Sequence, residues 1–171
     1  MKASSSRRVS HNRKKNRTPL ASLRSAEVVR AIVAHPRRLD ELVSLIENPD
    51  RVIRDRAAAN LARLAQSHPG RLVRVIERLK HDLADDSAYV RWNLASALGT
   101  VGERFPGRAG DFLPELCERI EDENRIVRLL ASQALIRIAR LDPSAVAGQF
   151  GEGKRAAPHP LQLLLQGKAA K

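Results

Sequence analysis

Residues 50–64 read DRVIRDRAAANLARL, residues 87–101 read SAYVRWNLASALGTV and residues 124–138 read NRIVRLLASQALIRI. The blocks lie 37 residues apart and share one pattern. Each opens on a residue whose side chain caps helices (Asp50, Ser87, Asn124) by accepting from free backbone N–H groups. A branched apolar residue (Ile53, Val90, Val127), an arginine (Arg54, Arg91, Arg128) and a leucine (Leu61, Leu98, Leu135) follow at fixed distances. Ile53, Ala57, Leu61 and Leu64, with their counterparts 37 and 74 residues on, mark one face of a helix. Three gapless copies of one supersecondary unit predict a solenoid, in which each copy buries its apolar face on the next.

Working outward, each copy needs a helix before this one. Leu39, Leu42 and Ile46 supply its face in copy one, Ile76, Leu79 and Leu83 in copy two, and Leu113, Leu116 and Ile120 in copy three. Pro69, Pro106 and Pro143 open these first helices, at the position where a missing N–H costs nothing. Pro36 sits four residues late, so the first helix of copy one is one turn shorter. The expected organisation is a disordered basic arm at 1–18 and a capping helix within 19–35, around Ser25 to Ala34, with Val28, Ile32 and Val33 turned inward. The solenoid follows at 36–150, with repeats at about 36–67, 69–104 and 106–141 and a partial one at 143–150. In that partial repeat a helix starts at Ala145 to Phe150 and fails at Gly151-Glu152-Gly153. Residues 151–171 form a tail whose Leu161, Leu163, Leu164 and Leu165 are expected to fold back as a cap over copy three, the alternative being a linear motif for a partner.

The pattern resembles HEAT repeats over roughly residues 36–142. That family places an Asp in its intra-repeat turn and an Arg six residues later, after a branched apolar residue. Asp85 precedes Val90-Arg91 and Asp122 precedes Val127-Arg128, while copy one has Asn48 before Ile53-Arg54. The period is shorter than the roughly 40–47 residues of HEAT and armadillo units and looks like the short bacterial-type units also seen in phycobilin-lyase-like proteins. The resemblance implies an all-α fold, a right-handed α-solenoid of HEAT-type helical hairpins. It implies that Asp85, Asp122, Arg54, Arg91 and Arg128 form a structural ladder between copies. It also implies that the second helices line a concave face.

Charge bounds the partners. The net charge is +12, but residues 31–150 hold 18 basic and 17 acidic residues. The excess sits in the ends, so a basic arm is expected rather than a basic face on the folded body. Arg7, Arg8, Arg13, Lys14, Lys15 and Arg17 suit phosphate neutralisation by the arm. A single cysteine, Cys117, excludes an intrachain disulfide and allows a reducing, cytoplasmic location. It reads as a partly buried small residue. No transmembrane stretch is present in the sequence. His11, His35, His68, His81 and His159 are scattered, and no metal or cofactor is implied. Gly151-Glu152-Gly153-Lys154 lacks the strand and the Ser/Thr of a phosphate loop.

The second helices offer the candidate site. At 100° per residue, the slots of residues 52, 55 and 59 point away from the core stripe. They hold Val52, Asp55 and Ala59, then Tyr89, Trp92 and Ser96, then Ile126, Leu129 and Gln133. Tyr89, Trp92, Ile126 and Leu129 thus form an aromatic–aliphatic patch of the kind that anchors protein partners. Arg56 and Asn93, with Arg63 and Arg137 further along the helix, are its expected polar rim, unless neighbouring copies or the capping tail bury the patch. The expected function is a non-enzymatic scaffold or adaptor, a monomer, binding a protein partner on this face. The alternatives are nucleic-acid association through the arm and, further off, an enzyme by analogy with HEAT-like glycosylases and phycobilin lyases.

Overall fold

The computed structural model describes residues 18–150 together with 156–157, 161–162 and 165–166. Among these residues every regular element is a helix. The eight α-helices are α1 (Ser25–Ala34), α2 (Arg38–Ser44), α3 (Arg51–Ser67), α4 (Ile76–His81), α5 (Ala88–Arg104), α6 (Leu113–Glu118), α7 (Arg125–Leu141) and α8 (Pro143–Ala147).

Helices α3, α5 and α7 are the three blocks of the sequence repeat, each 17 residues long. They pack side by side, α3 on α5 and α5 on α7, and form the backbone of the solenoid. Leu61, Leu98 and Leu135 are fully buried between them and the first-helix layer, each contributing about 2 kcal/mol. Asp50 caps α3 through Val52 N–H, and Asn124 caps α7 through the N–H groups of Ile126 and Val127. Ser87 departs from this reading. It occupies the cap position of α5, but its hydroxyl makes no capping bond. Instead it donates to Asp55 of the preceding repeat at 2.6 Å.

The first helices are not continuous. That of copy two is a chain of short pieces, the 3-10 turns Pro69–Arg71, Val73–Val75 and Asp82–Ala84 around α4. That of copy three runs Pro106–Asp111, α6 and Arg119–Glu121. Their sequences explain it. Pro69-Gly70 and Pro106-Gly107 open them, Gly110 and Pro114 interrupt copy three, and β-branched Val73 and Val75 crowd copy two. Tertiary burial of Leu72, Ile76, Leu79 and Leu83 holds the broken segment in place.

The ends differ from the middle. Arg38, itself buried, donates to the Thr18 carbonyl at 2.8 Å and to Glu41 at 2.9 Å. Glu41 in turn accepts from Leu20 N–H at 2.8 Å, which pins the chain leading into α1. In α1, Val28 and Ile32 are buried while Val33 is only half-buried. The partial fourth repeat opens at Pro143, not Ala145, capped by Asp142, and its helix already ends at Ala147. Leu161 lies fully buried in the core cluster, with Leu165 and Ala157 packed against it. The arm residues 1–17 and the segment Gly151-Glu152-Gly153-Lys154 lie outside the described residues. Among the described residues no helix is long and apolar enough to cross a membrane.

Candidate protein-binding face

Two sets of side chains project from α3, α5 and α7, one along the seam between repeats and one outward.

Along the seam run the repeated arginines. Arg54 donates to the Asn48 and Pro49 carbonyls, Arg91 to those of Asp85 and Asp86, and Arg128 to those of Asp122 and Glu123. Each guanidinium therefore binds the turn of its own repeat through backbone oxygen. The residue six positions earlier supplies that carbonyl rather than a carboxylate. The carboxylate comes from the next repeat. Arg91 meets Asp122 in two bonds of 2.8 Å, and Arg54 lies 3.2 Å from Asp85 and also bonds Asp86. Asn48, Asp85 and Asp122 share one further role, each accepting the backbone N–H two residues on. The amide at Asn48 thus preserves the turn. Among the described residues Arg128 has no ion-pair partner and is held by the two carbonyls alone.

Burial pushes the Asp122 carboxyl up, but the Arg91 bonds and the Asn124 N–H outweigh it and hold it below the ordinary value. At Asp85 burial wins with help from neighbouring Asp86, and its carboxyl is raised. A buried bidentate pair and a ring of carbonyl bonds do structural work, and they leave Arg91 no free edge for a ligand.

The outward set is different in kind. Ile126 is 45% exposed, Leu129 53%, Tyr89 39% and Val52 63%. Trp92 is half-buried and its ring meets that of Tyr89 with centroids 4.8 Å apart and planes tilted by 49°. Equivalent positions on packed neighbouring helices put these residues on one face of the layer. Two of the four expected rim residues are otherwise engaged. Arg56 donates to the Leu23 carbonyl at 3.0 Å, tying α3 to the N-terminal segment, and Asn93 donates to the Tyr89 carbonyl at 2.8 Å. Val52 was legible in the same register and belongs to the patch as its most exposed apolar member. Asp55, the carboxylate at the repeat position of Trp92, is held by Ser87 and lies 3.8 Å from Arg51. Cys117 is fully buried rather than partly so. Arg7, Arg8, Arg13, Lys14, Lys15 and Arg17 lie outside the described residues.

The near-neutral body is uneven from layer to layer. Helices α3, α5 and α7 together carry ten arginines and only two acids, Asp55 and Glu103. The remaining segments of 36–124 carry eight basic and fourteen acidic residues. Near-neutrality of the sum therefore hides an uneven count between helices, part of which Arg54 and Arg91 cancel by pairing with Asp85, Asp86, Asp122 and Glu123 across the seam.

No family model and no curated protein matches the chain. Among solved structures it is similar to the crystal structure of an engineered protein, a Northeast Structural Genomics Consortium target, with a TM-score of 0.61 and 22% identity. The match covers 75% of this chain and 57% of that one, so the chain spans little more than half of the engineered protein's length. That likeness shows the fold alone.

Proposed function

We propose that the chain is a HEAT-type adaptor, without catalytic chemistry of its own, that holds a segment of a protein partner on the outward face of α3, α5 and α7. The observation that carries this reading is the exposure of Ile126 and Leu129 at 45% and 53% beside the Tyr89–Trp92 pair. Large apolar side chains gathered at equivalent positions on three packed helices form a continuous anchor surface, and scattered single exposures do not. Aromatic side chains give such surfaces contact area at low entropic cost. The ladder arginines support the same reading indirectly. They stiffen the seam, so the face is presented pre-formed and little ordering cost falls on binding.

The test is selection of peptides from a display library on the intact protein, with Leu129→Asp as the counter-selection target and circular dichroism to check helicity. Leu129 is half-exposed, so the variant retains its helix content. The selected peptides are expected to bind the wild type and lose at least about tenfold in affinity on Leu129→Asp, with Trp92→Ala abolishing binding. Peptides that bind both variants as well as the wild type would dismiss the reading.

A further inference from the structure

The charge around the patch says what kind of segment fits it. This step rests on the proposed adaptor function and narrows its partner. Along the outward side of the second helices the exposed apolar residues Val52, Tyr89, Trp92, Ile126 and Leu129 gather in the N-terminal half, and Leu141, 55% exposed at the repeat position of Arg104, is the exception at the far end. The C-terminal half is cationic. Arg63 and Arg137 share one repeat position, Arg140 lies three residues beyond Arg137, and Arg104 ends α5. Arg63, Arg104 and Arg140 are exposed and Arg137 is half-exposed. Arg125 adds a further exposed charge at the start of α7. The acids on the same side are Asp55, bonded to Ser87, and Glu103, 3.8 Å from Arg137. From the position of Val52 to that of Arg63 is eleven residues, or about 16 Å along the helix axis.

We infer that the partner is an acidic amphipathic segment, whose apolar side chains seat on Val52, Tyr89, Trp92, Ile126 and Leu129 while its carboxylates face the arginine rim. Arginine suits that rim, since its planar fork binds carboxylates in pairs of bonds. Other occupants fit less well. The chain's own terminal sequences are basic, with seven Lys/Arg and no acid in residues 1–17 and four Lys/Arg against Glu152 in residues 151–171, so a cationic rim disfavours them. A second copy docked about a two-fold axis that runs along the helices brings arginine rim against arginine rim. Single-stranded nucleic acid needs open ring faces for its bases, but Tyr89 and Trp92 pack on each other and the rest of the patch is aliphatic.

Three fluorescent helical peptides of about 16 residues test the inference. They share one Leu/Phe face and carry Glu, Gln or Lys on the other, and an oligo(dT) strand completes the set. Trp92, the only tryptophan, reports occupancy of the face by its emission. In the full-length protein the Glu peptide is expected to bind at least about tenfold tighter than the Gln peptide at low salt, the gap narrowing as salt rises. Changing Arg63, Arg104 and Arg125 together to Gln removes the gap and leaves Gln-peptide binding in place. Changing Arg13, Lys14, Lys15 and Arg17 to Gln leaves the gap intact. Equal binding of Glu and Gln peptides, both lost on Leu129→Asp, overturns the acidic partner and keeps the adaptor. A gap that follows the arm variant instead of the rim variant also overturns it, as does oligo(dT) displacing the Glu peptide. Peptide binding that survives Leu129→Asp sinks the adaptor reading itself.

Discussion

Between the second and third repeats, Arg91 and Asp122 meet in two parallel bonds of 2.8 Å, with side chains only 6% and 2% exposed. Between the first and second, Arg54 lies 3.2 Å from Asp85, its Nε makes no hydrogen bond, and the side chains are 12% and 13% exposed. The helices tell the same story. Gly99 and Gly102 of α5 let α7 approach so closely that a Cβ on Gly99 would lie 2.4 Å from that of Ala134 and 2.7 Å from Arg137 Nη2. The equivalent positions of α3 hold Ala62 and Ala65. One sequence frame has thus been used twice with different tolerances. In a solenoid, stability is a sum of repeat and junction terms, and these two junction terms are unequal. The first junction is expected to be the weaker and the one at which local opening starts.

The largest break in that comparison comes from the buried pair. Asp122→Ala strands Arg91 against backbone carbonyls and the exposed Glu123, at a cost of about 3 kcal/mol. That is a fall in Tm of roughly 6–12 °C for a chain of this size. Asp85→Ala should cost less than half as much, because Arg54 keeps Asp86 and two carbonyls. Thermal melts of the two variants decide the order, and equal losses would erase the distinction between junctions. Native-state hydrogen exchange sharpens it, with α7 amides of the wild type expected to be better protected than those of α3.

Gly99→Ala is the next test, because two effects oppose each other. Alanine favours an exposed helix over glycine by about 1 kcal/mol. Overpacking a close helix contact costs about 1–3 kcal/mol. The 2.4 Å approach lies between a Cβ and a rigid partner helix, so packing wins and the variant should lose about 1 kcal/mol net. The reciprocal Ala62→Gly, in the first junction, should lose a similar amount through propensity alone. Denaturant titrations of both variants read this directly. A stabilised Gly99→Ala protein would mean that α5 and α7 spread freely and that the tight junction is not tight.

Much of this arrangement was written in the repeat. The 37-residue spacing placed all three second helices, the buried Leu61, Leu98 and Leu135, and the outward positions of Val52, Ile126 and Leu129, because helix geometry converts spacing into direction. The broken first helices were less legible. Their apolar positions keep helical spacing, but Pro114 and the paired Pro-Gly openings impose tighter local turns that periodicity does not register. Ser87 misled for another reason. A cap residue has a choice of partner, and Asp55 across the junction is visible only once the helices are packed. The uneven charge count between helices was present in the sequence all along. Summing charge over contiguous blocks averaged α3, α5 and α7 with the acidic segments between them.

The smallest effect tests the weak junction by pH. Asp82 opens the last turn of the first-helix segment of the second repeat, where burial, Glu47 of the first repeat and Asp85 push its carboxyl up to about 6 against the pull of Arg78 and His81. A carboxyl that binds its proton more tightly folded than unfolded adds stability when protonated. That contribution is whole below the ordinary carboxylate value of about 4 and is lost as pH rises through about 6. At pH 8 the charged Asp82 therefore weighs on the first junction. Asp82→Asn should stabilise the protein there by about 1 kcal/mol, a figure reduced for the side chain's partial exposure, and by nothing near pH 4. The second junction has the opposite sign. The Asp122 carboxyl is held low, so its contribution persists down to the ordinary carboxylate range and is lost only on further acidification. Unfolding free energies of wild type and Asp82→Asn from pH 8 to pH 4 should therefore converge as pH falls. Parallel curves would show that Asp82 titrates as an ordinary surface acid and that acid crowding is not what weakens the first junction.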